Sequence, residues 1–321
     1  MSAVLLFGIF FALLFLNVPI AMSLGVSSII TTMAVKPAMM STIAANLYSS
    51  TNTYVLLAIP FFILAGNIMD VSGISVRLIN FFNSLVGHTK HGTAMVCVIV
   101  ACFFAAISGS GPATVAALGG ILIPAMSKSG YEKDTSAALM STAGAIGIVI
   151  PPSITFVVYG SVTGTSVGDL FMAGIIPGIL IGVAIYFTMV ISSRGCNLVR
   201  QPKASGKERW KAFGDAVWGI LMPVIILGGI YGGIFTPTEA AAVSAIYGLI
   251  VGIFIYKTLR FKEIVVILRQ SVSQTAVVML IIGCAAVFGK VLTFTGLASD
   301  ASQGLISIAH GNKYTFLLMV N

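Results

Sequence analysis

Residues 93–126 read TAMVCVIVACFFAAISGSGPATVAALGGILIPAM. Residues 93–107 are apolar apart from Thr93, but the run is short for a bilayer crossing, which takes about 20 residues as a helix. It ends in Ser108-Gly109-Ser110-Gly111-Pro112-Ala113-Thr114, and a second short apolar piece, residues 115–126, follows. Two half-length helices around a Gly/Ser/Pro tip predict a re-entrant hairpin over 93–127, since non-helical backbone at membrane depth is tolerated where protein or water surrounds it. Glycine lets the chain turn at small steric cost, and Pro112 suits the first turn of the outgoing helix. That helix start offers free N–H groups and a positive dipole end. The serine hydroxyls and the carbonyls closing the first helix offer hard oxygen ligands of the kind that suit Na+. The alternative is a Gly/Ser kink that serves only close helix packing.

The next apolar stretch carries a second interruption. Gly144-Ala145-Ile146-Gly147-Ile148-Val149-Ile150-Pro151-Pro152-Ser153 lies inside a helix predicted over 134–165. Two prolines remove two N–H donors and leave the preceding carbonyls unpaired. Each unsatisfied group costs several kcal/mol in hydrocarbon, so protein, water or an ion must take those carbonyls. A plain proline kink is the alternative. Two breaks in consecutive membrane elements favour a joint binding site.

Composition fixes the environment. Hydrophobic residues make up 58% of the chain and charged residues 8%, against about a quarter charged in soluble domains. The runs 1–35, 55–69, 171–192, 217–234 and 240–256 are almost free of charge. The first lacks the basic start and cleavage site of a signal peptide. The chain is therefore an all-α polytopic membrane protein. The net charge of +8 does not mark a nucleic-acid partner, because the basic residues sit between spans in the positive-inside pattern. Cys97, Cys102, Cys196 and Cys284 show no CxxC spacing and read as small packing residues. His88, His91 and His310 fall in loops without ligand spacing. HExxH and phosphate-cradling loops are absent, which excludes the corresponding enzyme classes.

Threading starts from residues 194–211, which carry Arg194, Arg200, Lys203, Lys207, Arg209 and Lys211 and belong on the cytoplasmic side. Counting spans outward places Arg77, Lys90, Lys128, Lys133, Lys257, Arg260, Lys262 and Arg269 inside. Only Lys36 and Lys313 fall outside, and the N-terminus is external. Lys290 lies near the external end of its span and reads as a snorkelling cation, and Asp70 and Glu239 sit near span ends. An internal repeat is also legible. Gly66-x6-Gly73-Ile74 matches Gly289-x6-Gly296-Leu297, and Asn17-Val18-Pro19 matches Phe235-Thr236-Pro237. Each second helix is followed by an amphipathic segment, 37–53 and 258–273. The threading sets matched elements in opposite directions, as in inverted-repeat transporters. On this reading 1–91 is the scaffold of repeat one and 92–193 a mobile transport block. Residues 194–214 form a cytoplasmic linker, and 215–321 the scaffold of repeat two, cut short before a second hairpin.

Five blocks, in order, resemble the large membrane subunit of the tripartite ATP-independent periplasmic (TRAP) transporters. They are Ala58-Ile59-Pro60-Phe61-Phe62-Ile63-Leu64-Ala65-Gly66, Ile107-Ser108-Gly109-Ser110, Ile150-Pro151-Pro152-Ser153, Leu170-Phe171-Met172-Ala173-Gly174-Ile175-Ile176-Pro177-Gly178 and Phe235-Thr236-Pro237-Thr238-Glu239-Ala240. The resemblance implies an elevator-type, Na+-coupled importer of small carboxylates in the bacterial inner membrane. C4-dicarboxylates lead, with sialic acid and other sugar acids also in view. It implies a periplasmic substrate-binding protein and a small four-helix membrane subunit as partners. By the same resemblance, Ser108, Gly109, Ser110, Gly147, Ile150, Pro151 and Pro152 surround Na+, and Ser110, Pro112, Thr114 and Ser153 face substrate. Thr114 departs from the family, many of whose members carry an acidic residue there. The rival reading from another class is a channel or a non-transporting membrane scaffold. A channel calls for charged rings or a wide polar pore, and this chain has few such residues.

Overall fold

The computed structural model describes residues 2–309 and 312–320; His310 lies outside them. Among the described residues the regular structure is helical throughout. The helices run α1 Ser2–Phe15, α2 Ile20–Val35, α3 Met40–Thr51, α4 Ala58–Val71, α5 Ile74–Val86, α6 Gly92–Ser108 and α7 Gly111–Lys128. They continue as α8 Lys133–Ala145, α9 Ile154–Thr163, α10 Val167–Ser192, α11 Gly206–Tyr231, α12 Pro237–Ile250, α13 Phe261–Phe294, α14 Leu297–Ala309 and α15 Lys313–Val320. Five of the described segments are long and apolar enough to cross a membrane: Tyr54–Val71, α10, α11, Pro237–Ile255 and α13. The chain divides into two compact units, Met1–Thr53 with Ala276–Asn321, and Tyr54–Thr275.

In the first unit, the long apolar run at the N-terminus is divided by Asn17, at φ 62°, and by Pro19, which precedes α2. Proline starts a helix without loss because its missing N–H would have no intrahelical partner there. Helix α2 buries Ser23, Ser27, Ser28 and Thr32, and each hydroxyl donates to a carbonyl three to five residues back, Thr32 to Ser28 at 2.8 Å. Such back-bonding lets a polar residue sit in an apolar helix without an unmet donor. The core gathers Leu6, Phe288 and Val291, with the Phe7 and Phe10 rings 5.7 and 5.5 Å from Phe288. Lys290 leans along its own helix to 5.7 Å from the Phe294 ring, a snorkelling posture.

The second unit is built around α6, whose Cys97, Val100, Ala101, Ala105 and Ile107 are fully buried. Its neighbours approach through small residues, as membrane helices do where packing rather than water exclusion drives association. A Cβ at Gly248 of α12 would stand 3.1 Å from Ile68 of α4 and 3.2 Å from Met222 of α11. The Phe62 and Phe171 rings, both buried, meet at 6.5 Å between α4 and α10. Helix α12 begins with a complete capping box, in which Thr236 and Glu239 satisfy each other's backbone N–H. Glu239, placed near a span end by the sequence, spends its carboxylate on that cap at 2.7 Å. Helix α12 runs on into a π-helical turn, Val251–Ile255.

One expectation about the elements is corrected. Residues 258–273 do not form a separate amphipathic segment, because α13 runs unbroken from Phe261 to Phe294. The corresponding stretch of repeat one is divided at Asn52, where α3 stops before Tyr54, whereas Ser273-Gln274-Thr275 contains no Gly or Pro to stop a helix. The second glycines of the matched Gly-x6-Gly pairs do behave alike. Gly73 after α4 and Gly296 after α13 take φ values of 72° and 76°, the left-handed conformation that ends helices cheaply only at glycine.

Candidate functional site

Helices α6 and α7 are 17 and 18 residues long, roughly 26 Å each at about 1.5 Å per residue, and they join at a tight tip. Gly109 closes α6 at φ 59° with its N–H donating to the Ala105 carbonyl at 2.9 Å. Ser110 precedes α7, and Pro112 lies in the first turn, exposed. The tip hydroxyls form one network. Ser108 Oγ and Thr114 Oγ1 lie 3.1 Å apart, Thr114 donates to the Ser110 carbonyl at 2.9 Å, and the Ser110 N–H reaches Ser108 Oγ at 3.4 Å. Ser108 and Thr114 are buried.

The broken helix supplies the opposing wall. Helix α8 ends at Ala145, a short 3-10 turn covers Ile146–Ile148, and α9 restarts at Ile154. In a continuous helix the N–H groups of residues 151 and 152 would serve the carbonyls of Gly147 and Ile148. Prolines cannot supply them. The Ser153 hydroxyl replaces one, donating to the Ile148 carbonyl at 2.6 Å. Ser153 is thus turned back onto its own break, fully buried, with its oxygen lone pairs left to accept. The carbonyl of Gly147 keeps no prolyl partner. The Pro151–Pro152 peptide bond is cis, and both prolines are buried.

Tip and break touch. The Ile154 N–H donates to the Gly109 carbonyl at 3.3 Å. A Cβ on Gly109 would lie 3.1 Å from the Pro152 carbonyl oxygen, and one on Gly147 would lie 3.4 Å from the Gly111 nitrogen and 3.1 Å from Ala105. Thus Ser108, Gly109, Ser110, Thr114, Gly147, Pro152 and Ser153 share one neighbourhood. Ile150 turns its side chain to Gly178 of α10 instead. The sequence reading missed a collar around the tip. A Cβ on Gly66 of α4 would stand 3.0 Å from Ser108 Cα, one on Gly111 would stand 3.0 Å from the Gly144 carbonyl, and one on Gly144 would collide with Val115. Gly66 and Gly144 were visible in the quoted blocks, but their contacts join residues far apart in sequence. The arrangement offers neutral oxygens in a buried, close-fitting wall, and no group of three His, Cys, Asp or Glu that could hold a metal occurs among the described residues.

At the opposite end of the hairpin a polar cluster joins its two feet. Thr93 Oγ1 and Ser129 Oγ lie 3.0 Å apart, and His91 Nδ1 faces Tyr131 Oη at 3.4 Å and Ser193 Oγ at 3.2 Å. The Val199 N–H donates to the Ser129 carbonyl at 3.0 Å, so the basic linker is tied to this end. Burial, with Lys90 beside it, holds His91 below the usual imidazole range. Burial first, then Tyr186 and Cys196, pushes the Tyr131 phenol up to about 12.

The fold and this site define a multi-pass helical membrane protein with two interrupted elements packed tip to break, the architecture of a transporter permease rather than an enzyme. Residues 7–321 match the family model described as "Tripartite ATP-independent periplasmic transporter, DctM component". The chain belongs to that family. It is 38% identical to the C4-dicarboxylate TRAP transporter large permease protein DctM of Rhodobacter capsulatus, over 100% of this chain and 76% of that one. It is 43% identical to the C4-dicarboxylate large permease of Pseudomonas aeruginosa, over 93% of this chain and 70% of that one. It is 35% identical to the sialic acid TRAP transporter large permease protein SiaM of Vibrio cholerae, over 96% and 72% of the respective chains. The protein is therefore the permease subunit of a bacterial transporter, and the family implies a periplasmic binding protein and a membrane partner.

Proposed function

We propose that this permease imports small carboxylates, C4-dicarboxylates first and sugar acids such as sialic acid second, coupled to Na+ entry. The relatives named for C4-dicarboxylates and sialic acid support that range. The observation that carries the ion coupling is the meeting of tip and break. The Ser108 and Thr114 hydroxyls lie 3.1 Å apart, the Gly109 carbonyl is bonded to Ile154 at 3.3 Å, and Gly147 of the break packs against Ser110 and Gly111 of the tip. Several neutral oxygens at one buried point suit a hard monovalent cation. Binding there orders the tip against the break and readies the helix start at Gly111–Pro112 for a substrate carboxylate.

The family supports a wider reading. Helices α6 and α7 form a re-entrant hairpin, and 92–193 moves as a block against a scaffold in an elevator cycle. The matched turns at Gly73 and Gly296 support an inverted repeat, and the basic residues between spans support an external N-terminus in the inner membrane. A soluble binding protein delivers the substrate, and a small four-helix subunit braces the scaffold. Each Na+ entering contributes about 2.3 kcal/mol per 100 mV of membrane potential. Pro152→Ala restores a competing N–H at the Ile148 carbonyl and tests the site. Uptake by this variant should need several-fold more Na+ than the unaltered protein. An unchanged Na+ dependence would remove the break from the ion site.

A further inference from the structure

An open surface cavity of about 160 Å3 lies between α5 and α11, lined by Arg77, Asn80, Glu208, Lys211, Ala212 and Asp215, of which Asn80, Glu208, Lys211 and Asp215 are exposed. Two cations and two anions face it. No ion pair joins any two of these four among the described residues. Glu208, Lys211 and Asp215 follow one another at helical spacing on one side of α11. Arg77 is held in place from behind. One guanidinium nitrogen donates to the Ser72 and Gly73 carbonyls at 3.1 and 3.0 Å, and the Tyr256 ring lies 3.7 Å beneath it. Tyr256 is itself anchored by its hydroxyl on the Asp215 carbonyl at 2.6 Å. The remaining guanidinium donors stay available.

The cavity also sits at the charged end of a span. Beyond it, α11 becomes apolar from Val217 onward, and Trp210 and Phe213 beside it are 76% and 37% exposed. Aromatic side chains at the end of a span mark the headgroup level of the bilayer. An anionic headgroup would meet Glu208 and Asp215 as well as the two cations. A headgroup bearing both a phosphate and a primary ammonium complements this set: phosphate toward Arg77 and Lys211, ammonium toward Asp215 and the Glu208 carboxylate oxygen left over from its capping bond to the Ser205 N–H at 2.7 Å. We propose that the cavity between α5 and α11 binds the phosphoethanolamine headgroup of a membrane phospholipid.

Native mass spectrometry of the detergent-solubilised protein, titrated with phosphatidylethanolamine, phosphatidylcholine and phosphatidylglycerol of identical acyl chains, tests this. Phosphatidylethanolamine should be retained about fivefold better than either rival, the scale of two partly solvated charge pairs. Lys211→Gln and Asp215→Asn change exposed side chains that make no hydrogen bond or ion pair among the described residues. Lys211→Gln should lower retention of both phosphatidylethanolamine and phosphatidylglycerol. Asp215→Asn should lower only the former and so narrow the preference. Equal retention of the three lipids by the unaltered protein, or a preference untouched by Asp215→Asn, would overturn the proposal. Free glycerophosphoethanolamine that bound as tightly as the lipid would overturn the membrane source of the ligand.

Discussion

Ser108 is the residue on which the proposed ion site turns. Its hydroxyl touches Thr114 and the Ser110 N–H at once, so Ser108→Ala removes a candidate ligand and a brace of the tip together. A hydrogen bond of this kind is worth about 0.5–1.5 kcal/mol, so the Na+ concentration for half-maximal uptake should rise roughly 2- to 10-fold. Thr142→Ala, which removes an exposed hydroxyl bonded only to its own helix at 2.8 Å, should leave it unchanged. Gly109 tests a different property. At φ 59° a side chain costs about 1–2 kcal/mol, and its Cβ would press on the Pro152 carbonyl and Ile154. Gly109→Ala should therefore lower the thermal unfolding midpoint and abolish uptake, a pair of effects that separate it from Ser108→Ala.

The hairpin and the broken helix were legible as elements because their interruptions are written in Gly and Pro. Gly109 and Pro112 mark the tip, and Pro151 and Pro152 mark the break. What could not be read was direction and contact. Ser153 offered a hydroxyl at the right level, but its rotation back onto the Ile148 carbonyl depends on which carbonyls the break frees. The collar of Gly66 and Gly144 depends on helices brought together by the fold. The continuity of α13 was missed because an amphipathic stretch and an apolar one read as two elements when no breaker lies between them. The hairpin's foot carries its own prediction. His91 is held below its ordinary range by burial and by Lys90, so the folded protein favours neutral imidazole. Its contribution to stability is present above about pH 6.5. It is lost as pH falls through the folded value, because the unfolded chain takes up the proton first. The thermal midpoint should fall below pH 6.5, and His91→Gln should flatten that part of the profile.

At the scale of the whole molecule, the matching left-handed turns at Gly73 and Gly296 place α5 and α14 after corresponding helices, and the family assignment covers residues 7–321. A channel or an inert scaffold has no use for two interrupted helices pressed together, each carrying backbone groups that are costly to leave unmet in lipid. An importer driven by an ion gradient does, because on the proposed reading the interruption supplies oxygens for the ion. The central claim is that the site formed by tip and break couples Na+ to carboxylate uptake. It is tested most directly in proteoliposomes holding the permease, its small membrane subunit and the soluble binding protein, with succinate and sialic acid as separate substrates. The account predicts saturable accumulation above the outside concentration that collapses when external Na+ is replaced by choline. Accumulation that persists undiminished without Na+ would contradict it.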